Sequence, residues 1–200
     1  MKPINGFKAE APTTGYPMLP KGIYTAVIQN VMIEGTAPDQ RLVLRIDITE
    51  GEHAGYYTKR YHSESSSGSS RYAVKYKGDY RIQIPDQGNT KREHYDWDLR
   101  SFNNAIWAIE DSNDGYHWDW NEMGLKGKAV GINVRQGSYN GSPYTQIGRL
   151  ESIKMMREGK VKQMQDMKPR FDGDRAGEAV QVTTGSTVPG FTVSDEEVPF

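Results

Sequence analysis

The sequence predicts a mainly β fold of five strands, with one helix between the third and the fourth and a disordered C-terminal tail. Three observations lead there. Short stretches of alternating hydrophobicity recur between Gly22 and Ile153. One stretch of helical spacing follows Asp98. Beyond Glu158 there is no Tyr or Trp, and the few apolar residues follow no period that could support a packed core.

The elements follow in chain order. Between Gly22 and Glu34, Ile23, Val27, Val31 and Ile33 share one parity and Tyr24, Ala26, Ile28 and Met32 the other, which predicts a strand with both faces at least partly covered. Arg41 to Thr49 alternates cleanly, with Leu42, Leu44, Ile46 and Ile48 on the buried side. Tyr56 to His62 is the third strand, poor in aliphatics and rich in Tyr. Residues 63–95 form an insertion: a Ser-rich loop over 63–70, then a hairpin of Arg71–Tyr76 and Tyr80–Ile84 around Lys77, Gly78 and Asp79. Asp98 is the expected N-cap of a helix whose stripe is Leu99, Phe102, Ile106 and Ile109, stopped by Asn113, Asp114 and Gly115. The last two strands are Gly127–Arg135 and Tyr144–Ile153, and Asn140-Gly141 between them is a strong hairpin signal.

This is the chain order of the OB-fold, a five-stranded Greek-key barrel that binds oligonucleotides and oligosaccharides. An SH3-like barrel with a decorated loop uses the same elements. The expected organisation is an N-terminal extension over 1–15, the barrel domain over 16–158 and a disordered tail over 159–200 with an acidic tip at 195–200.

Composition narrows the function. The chain has no Cys, which excludes disulfides, thiolate metal sites and Cys nucleophiles. Its net charge is -1, so any polyanion must be held by a local patch. No apolar run approaches the length of a membrane span, and no apolar segment follows Lys2, so a cytoplasmic location with no membrane partner is expected. Walker, H-E-x-x-H and G-x-S-x-G motifs are absent, so neither an enzyme nor a cofactor is expected.

The densest signal lies in residues 56–81. Six of the 12 Tyr fall there (Tyr56, Tyr57, Tyr61, Tyr72, Tyr76 and Tyr80), together with Lys59, Arg60, Arg71, Lys75, Lys77 and Arg81 against only Glu64 and Asp79. Aromatic and basic side chains interleaved in this way suit single-stranded nucleic acid, because every base offers a π face and every linkage a negative charge. Tyr on strands is also ordinary sheet composition. A second group, Arg135, Tyr139, Tyr144 and Arg149, flanks the Asn140-Gly141 turn, and in an OB barrel that loop borders the same groove.

The final six residues, Asp195, Glu196, Glu197, Val198, Pro199 and Phe200, combine three acids with a terminal aromatic on a long tether. Such a tip suits a shallow apolar pocket rimmed by Lys or Arg on a partner. With the barrel, the linker and the segments Leu125-Lys126-Gly127-Lys128 and Tyr139-Asn140-Gly141, it resembles the single-stranded DNA-binding proteins of bacteria and their phages. The resemblance implies sequence-tolerant coating of single-stranded DNA in replication, recombination and repair. It also implies recruitment of replication and recombination proteins through the tip, and it admits a homo-oligomer. The Ser-rich insertion departs from that family. Three other readings stay open: a phage structural or scaffold protein whose barrel binds proteins, a metal-dependent nuclease using Asp111, Asp114, His117, Asp119 and Glu122, and an oligosaccharide-binding barrel.

Overall fold

The longest strand, β1 (Gly22–Glu34), is the spine of a five-stranded antiparallel sheet with β2 (Arg41–Ile48), β3 (Asp79–Gln83), β4 (Ala129–Tyr139) and β5 (Ser142–Glu151), in the order β3-β2-β1-β4-β5. This is a computed structural model, describing residues 16–66, 73–89 and 94–168. The early part of β1 pairs with β4, from Gly22↔Val134 to Val27↔Ala129, and the later part with β2, from Ala26↔Ile48 to Glu34↔Arg41. Both faces of β1 are at least partly covered, and the register shift between Ile28 and Asn30 moves its buried residues from one parity, Ala26 and Ile28, to the other, Val31.

The helices are α1 (Tyr56–Ser66), α2 (Tyr95–Ser112) and α3 (Ile153–Arg157), with a 3-10 turn at Glu122–Leu125. α2 packs against β3, β4 and β5. Its Phe102, Ala105, Ala108 and Ile109 join Ile28, Leu44, Ile46, Val130, Ile132 and Val134 in one buried cluster. Between β4 and β5, Asn140 (φ 49°) and Gly141 (φ 74°) both adopt the left-handed conformation that a two-residue hairpin turn requires.

Several expectations are corrected. Tyr56 to His62 is helical. Gly55 (φ 72°) turns the chain, and the buried Asp47 carboxylate, distant in sequence, accepts from the backbone N–H groups of Tyr57 (3.0 Å) and Thr58 (3.1 Å) at the helix N-terminus. That cap and the burial of Tyr56 and Tyr57 override the β preference of a Tyr-rich segment. The third strand is therefore β3, expected to be one arm of an inserted hairpin. It pairs with β2 through Leu42↔Ile82 and Leu44↔Tyr80, and residues 73–76 form no strand opposite it. Asp98 is not the N-cap of α2. His94 holds that position, and Asp98 is buried within the first turn.

The sheet is not closed into a barrel: β3 and β5 are its edges. Residues 160–168, expected to open the disordered tail, run back over β4 as an extended strap. Asn133 alternates with the core residues Ile132 and Val134 and so faces away from the core. Its amide donates to the Lys162 carbonyl (3.0 Å) and accepts from the Met164 N–H (3.1 Å). Further along, the Met167 N–H reaches the Gln136 carbonyl (2.8 Å) and Lys21 pairs with Asp166 (2.8 Å). Gly131 and Gly148 leave room for the Met156 and Met164 sulfurs. The acidic tip, Asp195 to Phe200, lies outside the described residues, as do Arg71 and Tyr72.

Candidate nucleic-acid interface

The open edges of the sheet flank a cleft of about 530 Å³. One wall is β3 with Lys77 just before it, the opposite wall is β4–β5, and the N-terminal half of α2 lies across them. From the sequence-derived candidates, Lys77, Tyr80 and Arg81 come from one wall and Arg135 and Arg149 from the other. Two segments separated by the whole of α2 line one cleft because the sheet curls far enough for its opposite edges, β3 and β5, to flank a common space under α2.

The charges in the cleft are unequally satisfied. Arg81 makes a bidentate pair with Glu34 (3.0 and 3.1 Å), and Arg149 pairs with Glu151 at 2.6 Å. Both guanidinium groups are nearly half exposed, 44% and 49%. The Arg81–Glu34 pair is exposed on both sides and contributes about 0–1 kcal/mol, so a phosphate can displace that carboxylate at small cost. The Glu151 carboxylate is buried, so Arg149 stays on it and meets a phosphate with its remaining N–H groups. Among the described residues Lys77 and Arg135 make no ion pair, and the buried Arg135 Nε has no hydrogen-bond partner. A permanently charged guanidinium left without a counterion in a cleft wall favours an incoming anion. The Tyr80 phenol is pushed up mainly by burial, against the lowering effect of Arg149 and Arg135, which line the same cleft.

Sequence reasoning missed Trp97. It stands in the cleft wall 62% exposed, the kind of bare aromatic surface on which a base can stack. The signal was available: Trp97 and Trp107 lie off the stripe of Leu99, Phe102, Ile106 and Ile109, and a large aromatic residue on the wet side of a helix calls for an explanation.

Other candidates do not join the cleft. Tyr56 and Tyr57 are core residues, 6% and 4% exposed, with no ring face free for a base. The Tyr56 hydroxyl donates to the Pro17 carbonyl (2.7 Å) and accepts from Leu19 N–H (2.8 Å). Tyr76 is half-buried: Arg45 sits over its ring at 4.7 Å, and its hydroxyl reaches the Ile46 carbonyl at 3.2 Å. Tyr61 is exposed but leans on Tyr76, with ring centroids 5.9 Å apart. Lys59 is tied to the Ala54 carbonyl (2.7 Å) and Arg60 to Glu64 (2.6 Å), both on α1 or its approach. Lys75 is exposed, precedes β3 in the chain and does not line the cleft. Tyr139 is exposed at the hairpin tip, whereas Tyr144 is half-buried with its hydroxyl against the Met167 sulfur.

Burial is the largest cause that pushes Tyr76 up to about 12, and it also raises Tyr57 and Tyr80. These phenols ionise less readily folded than unfolded, where the value is about 10. Their contribution to stability is therefore whole below about pH 10 and lost as pH rises through 12. Urea-unfolding midpoints should be flat up to about pH 10 and decline above it; a midpoint that climbs in that range would contradict the burial described.

The acids considered for metal binding are engaged elsewhere. Asp111 accepts from Ser152, Asp114 pairs with Lys154 at 2.8 Å, and Asp119 accepts from the Asn121 N–H at 3.1 Å. Among the described residues no group of three or more His, Asp or Glu side chains could hold a metal ion. No described helix is long and apolar enough to cross a membrane. No family model matches this chain, and no curated protein matches it.

Proposed function

We propose that this chain binds single-stranded DNA, with little regard to sequence, in the cleft between β3 and β5, and that its sheet is an OB-type barrel with an open seam. The strand order, the role of β1 in both halves of the sheet and the helix between β3 and β4 are those of that fold. Closing the barrel would bring together β3 and β5, the two strands that already flank one cleft. The single observation that supports DNA most is Arg135, a cation without a partner among the described residues, facing the same cleft as the exposed ring of Trp97. Cations hold the backbone, the ring accepts a base, and neither contact reads sequence. In this reading the protein coats and protects single strands in replication and recombination, and partner proteins are recruited by the acidic tip, Asp195 to Phe200.

The test is binding of an oligo-dT strand and of a duplex across a salt series. With Lys77, Arg81, Arg135 and Arg149 each meeting a phosphate, log K should fall against log salt with a slope of roughly -3, about -0.7 per phosphate. The duplex should bind more weakly, because its bases are not free to stack. No binding of oligo-dT at low salt would overturn the proposal and leave the protein-binding barrel as the better account.

A further inference from the structure

The cleft does not end at Arg149. Asn104, Arg149 and Leu150 also line a second depression of about 440 Å³, between α2, the end of β5 and the start of the strap. Its other walls present Trp107, 50% exposed, and the strap residues Lys160 and Lys162. Lys160 pairs with Glu158 at 2.7 Å, with both side chains more than half exposed, so that pair is weak. Lys162 makes no ion pair with a described residue, and its backbone is fixed by Asn133. The one carboxylate among the lining residues, Glu151, is already held by Arg149 (2.6 Å) and the Asn133 amide (3.0 Å). Trp97 and Trp107 are ten residues apart on α2, a rise of about 15 Å, and neither belongs to its buried face.

We infer that this depression is a second nucleotide subsite: the strand leaves the β3–β5 cleft past Arg149, stacks a base on Trp107 and lays its backbone against Lys160 and Lys162. The inference rests on the proposed DNA binding in the cleft and adds the path and a longer footprint. A protein interface would be expected to lose charge at its centre, whereas here cations line both depressions and meet at Arg149. The strap acquires a role from this arrangement: Asn133 fixes the backbone at Lys162 and the Met155 carbonyl fixes it at Lys160, which puts two lysines beside the end of β5.

Labelled oligo-dT strands of about 5 and about 15 nucleotides, spanning the site sizes usual for one such fold, separate the two subsites. Trp107→Ala should weaken the long strand about 5- to 100-fold, the loss of one stack, and leave the short one unchanged. Lys162→Ala should reduce the salt slope by about 0.7 on the long strand alone. Trp97→Ala should weaken both strands. If Trp107→Ala and Lys162→Ala bind the long strand like the unaltered protein while Trp97→Ala and Arg135→Ala lose affinity, the second subsite is wrong and the cleft stands. Equal loss on both strands with Trp107→Ala also removes the subsite. If Trp97→Ala and Arg135→Ala bind normally too, the cleft reading falls with it.

Discussion

On the proposed reading, Arg135→Glu should weaken oligo-dT binding by about 100-fold at low salt, the largest functional effect expected of any single substitution in the cleft. A hydrogen bond to a charged group contributes about 1.5–3 kcal/mol, and the reversal adds repulsion between the new carboxylate and the phosphate. About 3 kcal/mol corresponds to roughly two orders of magnitude. Arg135→Ala is the milder companion, with a loss of about tenfold and a slope shallower by about 0.7. Fluorescence anisotropy at about 50 and 200 mM salt measures both effects, and a thermal melt confirms that each variant folds. Unchanged affinity in a folded Arg135→Glu protein would mean that the strand does not enter between β3 and β5.

Asp47→Ala should have the largest effect on stability. The carboxylate is 2% exposed and accepts from three backbone N–H groups: those of Ile48 (2.9 Å), Tyr57 (3.0 Å) and Thr58 (3.1 Å). Alanine leaves those donors without partners at the junction of β2 and α1, and each unsatisfied buried group costs about 1–3 kcal/mol. A total near 3 kcal/mol lowers Tm by about 6–12 °C in a domain of this size. Asp47→Asn keeps one acceptor oxygen but turns a donor toward the other N–H groups, so it should fall between wild type and alanine. A Tm within about 2 °C of wild type for Asp47→Ala would show that the helix is capped otherwise.

Much of the sheet was legible in the sequence. β1 spans Gly22–Glu34 as its two-sided hydrophobicity predicts, β2 stops one residue earlier than expected, and the Asn140-Gly141 signal marks the β4–β5 turn. These elements are set by local period and turn chemistry. α1 was not legible because its decisive contacts are distant: Asp47 caps it, and the burial of Tyr56 and Tyr57 holds it. A run of tyrosines with few aliphatics has no helical signature of its own. Once that segment was read as the third strand, β3 was left as an insertion, although Ile82 and Tyr80 were already alternating with Arg81.

The site was half legible for a related reason. Charge can be read without a fold, and of the cations it marks, Lys77, Arg81, Arg135 and Arg149 line the candidate cleft whereas Lys59, Arg60 and Lys75 do not. Ring exposure cannot, because Tyr56 and Tyr57 have the same composition signature as a stacking platform yet fill the core. Trp97 and Trp107, set apart on a helix by their place off its apolar stripe, were the better guide.

Asn133 grips the returning chain by a carbonyl and an amide of its backbone, at Lys162 and Met164, so the grip is indifferent to side-chain identity there. A dye, affinity handle or fused domain attached after Lys168 would accordingly depart from beside Gln136 and Tyr144 instead of from the end of α3. Distance measurements from such a label should be referenced to that exit point.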